Sequence, residues 1–191
     1  MKTIGILAIQ GDFEKHKRIV EKLGQTAIEV KTSLELNKTD ALIIPGGEST
    51  TILKLINQSD LKRTLKKYAQ THPIMGTCAG LILLAREVDE LPGSSLKLID
   101  IGVKRNAYGR QKESFIDTIS INLNGTSNSD FLGVFIRAPK INNQGANVKI
   151  LGKHKGEVVM VRNENILVCT FHPELTEDVR IHKYFFEDFL G

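Results

Sequence analysis

The stretch Pro73-Ile-Met-Gly-Thr-Cys-Ala-Gly-Leu-Ile-Leu-Leu-Ala85 places one cysteine between two apolar segments. Its first five residues predict a β-strand, and a helix is predicted from residue 79 to about residue 88. The junction, Gly76-Thr-Cys-Ala-Gly80, has the spacing of a strand–turn–helix nucleophile elbow, with cysteine in place of serine. Glycines two residues before and after Cys78 remove Cβ atoms that would collide where strand and helix meet. The alternative interpretation is a small buried cysteine in a glycine-containing turn.

A cysteine in such a turn has the chemistry of a nucleophile. Cys78 would point away from the backbone, and the dipole of the following helix would favour the reactive thiolate. The backbone N–H of Ala79 would be free to stabilise an oxyanion.

Short apolar strands alternate with amphipathic helices through the whole first half of the chain. Strands are predicted at 3–9, 27–31, 40–45 and 73–77, and helices at 12–23, 50–56, 60–70 and 79–88. This rhythm favours a parallel sheet with helices on both faces, in which ligands bind at the carboxyl ends of the strands.

The second half has a different pattern, with strands joined by short loops. Strands are predicted at 96–105, 114–123, 134–136, 148–153, 157–162 and 166–171, followed by a last helix at about 177–190. We therefore predict an α/β fold of three layers, flavodoxin-like, with a mostly parallel sheet and antiparallel strands added in the C-terminal half. We expect one domain over residues 1–191.

Composition narrows the class of protein. The chain has 191 residues, 41% hydrophobic and 25% charged, which fits an ordinary globular domain that buries roughly 70% of its unfolded surface. No apolar run approaches the roughly 18 residues of a membrane span, and the first residues predict a strand rather than a signal peptide. Two cysteines cannot build a disulfide framework. We expect free thiols in the cytoplasm and no membrane partner.

The charge pattern argues against nucleic-acid binding. The net charge is +4, with scattered Lys and Arg, no Trp and 6% aromatic residues. Nucleic-acid-binding proteins usually concentrate their basic residues and interleave aromatic ones.

A histidine and a glutamate follow the last predicted strand, in Phe171-His-Pro-Glu174. A thiol nucleophile needs a base such as imidazole, and the imidazole needs an acceptor that orients it. His172 and Glu174 are two residues apart, so in an extended segment they would project to the same side. If the strands before Cys78 and His172 are parallel, both side chains lie at one sheet edge. The alternatives are a polar turn or a two-ligand metal site, although the set is incomplete for structural zinc.

The remaining polar candidates divide into a loop and scattered histidines. Pro45-Gly-Gly-Glu-Ser-Thr50 follows the third strand and offers backbone N–H groups, which favours an oxyanion or substrate-binding role, since the Gly-Lys-Ser/Thr of a P-loop is missing. An ordinary helix N-cap is the alternative. Four further histidines are predicted to lie on the solvated surface: His16, His72, His154 and His182.

These segments together resemble those of the triad-type (class I) glutamine amidotransferases, and within them the glutaminase subunits of pyridoxal 5′-phosphate synthase. The resemblance runs end to end. Its motifs are Ile9-Gln-Gly11, Leu42-Ile-Ile-Pro-Gly-Gly-Glu-Ser-Thr-Thr51, Gly76-Thr-Cys-Ala-Gly80, Arg105-Asn-Ala-Tyr-Gly-Arg-Gln111, Gly133-Val-Phe-Ile-Arg-Ala-Pro139 and Phe171-His-Pro-Glu-Leu-Thr176.

The resemblance implies hydrolysis of L-glutamine to L-glutamate and ammonia. It implies Cys78 as the nucleophile, His172 as base and then acid, and Glu174 as the residue that orients His172. The backbone N–H groups of Gly47 and Ala79 would form the oxyanion hole. The residues implied to bind glutamine are Gly47, Glu48, Ser49, Arg105, Ile136 and Arg137. No cofactor or metal is implied.

The resemblance also implies a partner. Such glutaminases dock on a barrel-shaped synthase subunit in a large hetero-oligomer, and that subunit uses the ammonia to build pyridoxal 5′-phosphate. Since free ammonia is lost by protonation and diffusion, hydrolysis should be gated by the partner. We expect Gln10 and the Gly46-Gly47 turn to form that gate.

Three alternatives remain open at this stage. The chain could be a glutaminase that serves another synthase, or a cysteine hydrolase or peptidase of similar architecture. It could also be a catalytically inactive binding module, although the intact set of Cys78, His172 and Glu174 argues against that. Cys169 lies in an apolar strand, and we expect it to be buried and inert.

Overall fold

The computed structural model describes residues 1–105, 114–125 and 129–191, and these contain twelve strands. They are β1 (Thr3–Leu7), β2 (Thr26–Val30), β3 (Ala41–Ile44), β4 (Ile74–Thr77), β5 (Ala85–Asp89), β6 (Ile99–Lys104), β7 (Ser114–Ile121), β8 (Ser129–Ile136), β9 (Lys140–Gln144), β10 (Lys149–His154), β11 (Glu157–Arg162) and β12 (Ile166–Cys169). The α-helices are α1 (Phe13–Lys22), α2 (Ser33–Leu36), α3 (Ser49–Asn57), α4 (Leu61–Tyr68), α5 (Ala79–Leu84) and α6 (Arg180–Leu190).

Nine of the strands form one sheet in the order β2-β1-β3-β4-β12-β11-β10-β7-β8. The first five are parallel, and the other four continue the sheet with antiparallel pairs. A second sheet has the order β5-β6-β9. The predicted α/β class, with a mostly parallel sheet and later antiparallel additions, is confirmed.

The central strands are buried on both faces. Along β3, Leu42 and Ile44 pack into one apolar core while Ile43 packs into the other. Successive side chains of a strand point to opposite faces, so a continuous apolar run supplies both cores at once. This is why the first half of the sequence shows apolar runs rather than alternation.

The helix predicted over 79–88 ends earlier than expected. Helix α5 stops at Leu84, and the next residues form strand β5, in which Ala85 pairs with Ile99 and Val88 with Val103. This pairing with a distant strand overrides the local helical pattern, which is why a sequence window missed it.

Other boundaries also changed. Strand β8 begins at Ser129 rather than 134, and the last helix begins at Arg180 rather than 177. Helix α2 and strand β9 were not predicted. Most of the segment Arg105-Asn-Ala-Tyr-Gly-Arg-Gln111, from residue 106 onward, lies outside the described residues.

Within the described part of the chain, no helix has the length and apolar character needed to span a membrane.

Candidate active site

Cys78 lies at the tight turn between β4 and α5. Its backbone has φ 48° and ψ −101°, a left-handed conformation that costs free energy in a residue with a Cβ and recurs at functional sites. A Cβ added to Gly80 would lie 2.1 Å from the carbonyl oxygen of Ile44, and one added to Gly76 would lie 2.8 Å from the carbonyl carbon of Gly80. Gly76 therefore allows α5 to approach β4, as the sequence predicted, and Gly80 allows α5 to approach the neighbouring strand β3.

His172 reaches the same sheet edge through the neighbouring strand. Strands β4 and β12 are parallel, with Thr77 opposite Cys169, so Cys78 and His172 both follow the carboxyl ends of adjacent strands. The backbone N–H of His172 donates to the carbonyl of Val134 at 2.8 Å, which ties it to β8. The imidazole interacts with the thiol of Cys78, and this interaction raises the pKa of His172.

The loop after β3 packs against this pair. A Cβ on Gly46 would lie 2.4 Å from Cε1 of His172 and 3.4 Å from Cβ of Cys78. Only a residue without a side chain fits between the imidazole and the loop.

Glu174 holds the other side of the imidazole. Its Oε1 lies 2.7 Å from Nδ1 of His172, and the glutamate is 4% exposed. The expected extended segment is wrong, because Pro173–Leu175 forms a 3-10 turn. Because of this turn, Glu174 lies behind His172 and its carboxylate contacts Nδ1 of the imidazole.

The charges of these groups support one another. Burial alone would lower the pKa of His172, but hydrogen bonds with Cys78 and Glu174 outweigh it and raise the pKa to about 10. Burial alone would raise the pKa of Glu174, but His16 and the bonded His172 outweigh it and lower the pKa. The arrangement favours an imidazolium held between a sulfur and a carboxylate.

A cleft of about 390 Å³ opens in front of Cys78 and His172. All the side chains and loops proposed to bind substrate line it, namely Gly47, Glu48, Ser49, Arg105, Ile136 and Arg137, and so does Gln10. Gly46, part of the turn predicted to form the gate, also lines the cleft, and three further lining residues were not predicted: Asp12, Ile82 and Leu175. The carbonyl of Ile136 lies 3.8 Å from Sγ of Cys78. The structure thus brings residues from distant segments to one opening, and their individual roles stay predictions.

Glu48 also caps a helix, which was the alternative interpretation of this loop from the sequence. It is the N-cap of α3, and its carboxylate accepts the backbone N–H groups of Thr50 at 3.2 Å and Thr51 at 2.7 Å. Hydrogen bonds from these threonines outweigh partial burial and lower the pKa of Glu48 to about 2. A guanidinium nitrogen of Arg105 lies 3.9 Å from the same carboxylate, so a carboxylate and a guanidinium face one cleft.

Gln10 connects the end of β1 to this loop. Its Oε1 accepts the backbone N–H of Glu48 at 2.9 Å. The carbonyl of Gly46 accepts the backbone N–H of Asp12 at 3.3 Å. In a trans peptide the N–H of Gly47 points opposite to that carbonyl, so these two bonds set the orientation of the loop backbone.

Residues 1–105, 114–125 and 129–191 contain no group of three or more His, Cys, Asp or Glu side chains that could hold a metal ion.

The sequence profile of the SNO glutamine amidotransferase family matches residues 6–191. The chain belongs to the SNO glutamine amidotransferase family. Its relatives in this family include the "pyridoxal 5′-phosphate synthase subunit PdxT" of Fervidobacterium nodosum, 47% identical over 183 residues that cover 95% of this chain and 94% of the relative. The protein of the same name from Pseudothermotoga lettingae is 49% identical over 187 residues, covering 97% and 94%.

A solved glutamine amidotransferase is 42% identical to this SNO family member, with a TM-score of 0.90 and coverage of 96% of this chain and 97% of that one. A protein described as a putative GMP synthase subunit from Thermoplasma acidophilum has a TM-score of 0.69 at 21% identity, covering 100% of this chain and 93% of that one, and it shares the fold.

The histidines of this family member are not where the sequence analysis placed them. His16 and His182 are 0% exposed and His154 is 6% exposed, so the expected surface positions are wrong for these three. His72 is partly buried and stacks on Tyr68. The buried faces of the helices carried the missed signal: His16 recurs with Phe13 and Val20 at helical spacing. A histidine at this spacing is buried with the apolar face of its helix, despite its polar ring.

Cys169 is 1% exposed, which confirms the predicted burial. Burial first, and then the charges of Glu174 and Cys78, raise the pKa of its thiol. Its chemical inertness stays a prediction.

Proposed function

We propose that this chain is the glutaminase subunit of a pyridoxal 5′-phosphate synthase, which hydrolyses L-glutamine to L-glutamate and ammonia. The observation that carries the proposal is the pair of Cys78 and His172 at the floor of a cleft lined by Glu48 and Arg105, with Glu174 bonded to His172 from behind. The relatives named above as synthase subunits support the choice of pathway.

In the proposed mechanism, His172 takes the proton of the Cys78 thiol, and the resulting thiolate attacks the side-chain amide carbon of glutamine. The electron pair of the carbonyl moves to oxygen, and the backbone N–H groups of Gly47 and Ala79 receive the oxyanion. Protonated His172 delivers its proton to the amide nitrogen as the carbon–nitrogen bond breaks, which releases ammonia and leaves a thioester. His172 then takes a proton from water, whose oxygen attacks the thioester carbon and releases glutamate and the thiol.

Glutamine also needs recognition at its other end. Its α-carboxylate and α-ammonium are complemented by a guanidinium and a carboxylate, and the cleft offers Arg105 and Arg137 beside Glu48. Ser49 and the backbone of Gly47 and Ile136 complete the proposed contacts.

The proposal extends to the assembly. The chain would act as one glutamine amidotransferase domain over residues 1–191, because strands from both halves share the nine-stranded sheet. It would dock on a barrel-shaped synthase subunit in a large hetero-oligomer and pass ammonia to it. The proposed setting is the cytoplasm, where a reducing environment keeps Cys78 and Cys169 as free thiols.

The test is ammonia release from glutamine, titrated with a pyridoxal 5′-phosphate synthase subunit and with Cys78→Ala as the blank. We expect strong stimulation by the partner and none in the variant. No release at any partner concentration would contradict the proposal and favour a different synthase or a cysteine hydrolase.

Gln10 is proposed to be part of the gate that the partner controls. Its side chain holds the N–H of Glu48, so it couples the end of β1 to the loop that carries Gly47. In Gln10→Ala we expect partner-stimulated ammonia release to fall roughly tenfold, the effect of losing about one such hydrogen bond.

The matched control for this change is Gln25→Ala. Gln25 also accepts a backbone N–H, that of Lys2 at 2.7 Å, but it lies outside the cleft. Stimulation should be unchanged in the control. Unchanged stimulation in Gln10→Ala would rule out this gate.

A further inference from the structure

Two buried histidines lie behind the candidate triad. His16 on α1 and His182 on α6 are both 0% exposed, and Nδ1 of His16 lies 2.9 Å from Nε2 of His182. Two imidazoles in an apolar interior cost free energy unless their nitrogens are paired. Their position therefore needs a physical reason.

The outer nitrogen of His16 faces the site. Its Nε2 lies 3.4 Å from Oε2 of Glu174 and 3.3 Å from the hydroxyl oxygen of Thr77, the residue directly before Cys78. Among the described residues, that Oε2 is buried without a hydrogen-bond partner, and the 3.4 Å approach of His16 is a close contact rather than a formed hydrogen bond. A buried carboxylate is unstable without a donor or a positive charge, and His16 is the side chain from another element that approaches this oxygen.

The contacts also decide which nitrogens carry hydrogen. A carboxylate only accepts, so we assign the proton of His16 to Nε2, where it faces both the carboxylate of Glu174 and the hydroxyl oxygen of Thr77. Its Nδ1 then accepts from Nε2–H of His182, and the other nitrogen of His182 is left bare. That nitrogen, Nδ1 of His182, is a buried atom without a partner in the described part of the chain. The reverse assignment would aim a lone pair at the carboxylate and bury an N–H without an acceptor.

We propose that His16 is a positioning residue of the glutaminase: its Nε2–H holds Glu174 ionised and aimed at His172, and His182 fixes its tautomer. This inference rests on the proposed function, because it assigns to Glu174 the orienting role in the triad. The result is a buried chain of groups that runs from the thiol of Cys78 through His172, Glu174 and His16 to His182. It links the reacting sulfur to helices α1 and α6.

The electrostatics of Glu174 are set by groups from every element packed against it. Those groups are His172 in its own turn, His16 from α1, His182 from α6, and the thiol of Cys169 in β12. Asp12 acts on His16 from the start of α1. Burial lowers the pKa of His16, and it lowers that of His182 to about 3, so both are neutral donors at physiological pH. A neutral donor stabilises the carboxylate without competing with His172 for the positive charge.

The test compares His16→Phe, which keeps volume but removes the donor, with His16→Gln, whose amide nitrogen reaches the position of Nε2. We expect His16→Phe to lower the kcat of partner-stimulated ammonia release at least roughly tenfold with an unchanged KM, since only orientation is lost. His16→Gln should stay within about threefold of wild type, because its amide still donates to Oε2.

A second readout uses neither glutamine nor the partner. The rate of alkylation of Cys78 by iodoacetamide is followed against pH. Without the donor the pKa of Glu174 rises, so Glu174 becomes neutral at a higher pH and no longer supports the thiolate–imidazolium pair. The midpoint for His16→Phe should therefore rise by about one pH unit, while that of His16→Gln should stay near wild type.

The control variant is His154→Phe, a histidine 6% exposed that pairs with Asp117 away from the cleft. It should change neither readout. If His16→Phe keeps wild-type kcat and midpoint, or if both His16 variants lose activity equally with no shift in midpoint, the proposal is overturned in favour of a packing role.

Two further cases have separate outcomes. If His16→Phe does not fold, His182→Phe is used instead, because it removes the donor that fixes the tautomer of His16. We expect the alkylation midpoint of His182→Phe to rise by a smaller amount, and a wild-type midpoint in His182→Phe would overturn the proposal. Absence of ammonia release by the wild-type protein would overturn the proposed function, while the alkylation profiles would still decide the role of His16.

Discussion

Cys78→Ala will abolish partner-stimulated ammonia release, with a loss of at least roughly 10⁴-fold. The variant removes the sulfur that we propose forms the covalent intermediate, and no other described group in the cleft can replace it. The other thiol, Cys169, lies in β12, is 1% exposed and donates to the carbonyl of Phe171. Ammonia release measured at saturating glutamine and partner is the direct assay.

The matched control is Cys169→Ala, which removes the same atom from a buried strand. It should keep activity within about threefold, although the cavity that it leaves will cost about 1 kcal/mol of stability. A glutamine-analogue electrophile should label Cys78 far faster than Cys169 in the wild-type protein. Equal labelling of both thiols, or residual turnover in Cys78→Ala, would contradict the proposed nucleophile.

Glu174→Gln will lower kcat by roughly 10²–10⁴-fold, the range expected when the orienting acid of a triad loses its charge. The amide can still accept from Nδ1 of His172, so the geometry can survive. It cannot stabilise an imidazolium, so the pKa of His172 falls and the thiolate–imidazolium pair is less populated. The KM for glutamine should change little, since Glu174 lies behind His172 and does not line the cleft.

We also expect Glu174→Gln to change how the free energy of unfolding depends on pH. The pKa of Glu174 is lowered in the folded protein, so its ionised form stabilises the fold above the ordinary value of 4.5, and this contribution is lost as pH falls through the lower folded value. Glu174→Gln has no such titration. Its unfolding free energy, measured by urea denaturation at a series of acidic pH values, should fall less steeply on acidification than that of wild type. Identical slopes would show that Glu174 is not held ionised.

Local sequence patterns were sufficient to predict most helices and strands in the first half of the chain. Two kinds of pattern depend only on residues that are close in sequence. These are the apolar runs of β1, β3 and β4 and the glycines around Cys78. The sequence also predicted roles for His172 and Glu174, because a histidine and an acid after a strand match the needs of a thiol nucleophile, and these roles stay predictions.

Other elements depend on strand pairing between segments that are far apart in sequence, and local patterns could not predict them. The turn from α5 into β5 depends on β6, and β9 forms because β6 offers it an edge. The 3-10 turn at Pro173–Leu175, rather than an extended segment, places Glu174 behind His172.

The sequence by itself determined the class of fold and the chemistry available, because hydrophobic periodicity, glycine spacing and the reactivity of a thiol beside an imidazole are local properties. The tertiary structure alone decided that residues from the ends of β1, β3, β4, β8 and β12 share one cleft. It also decided that His16 and His182 are buried behind Glu174 rather than exposed on the surface. Burial and the partner of each nitrogen arise only when helices α1 and α6 close over the sheet, since neither can be read from a histidine in isolation.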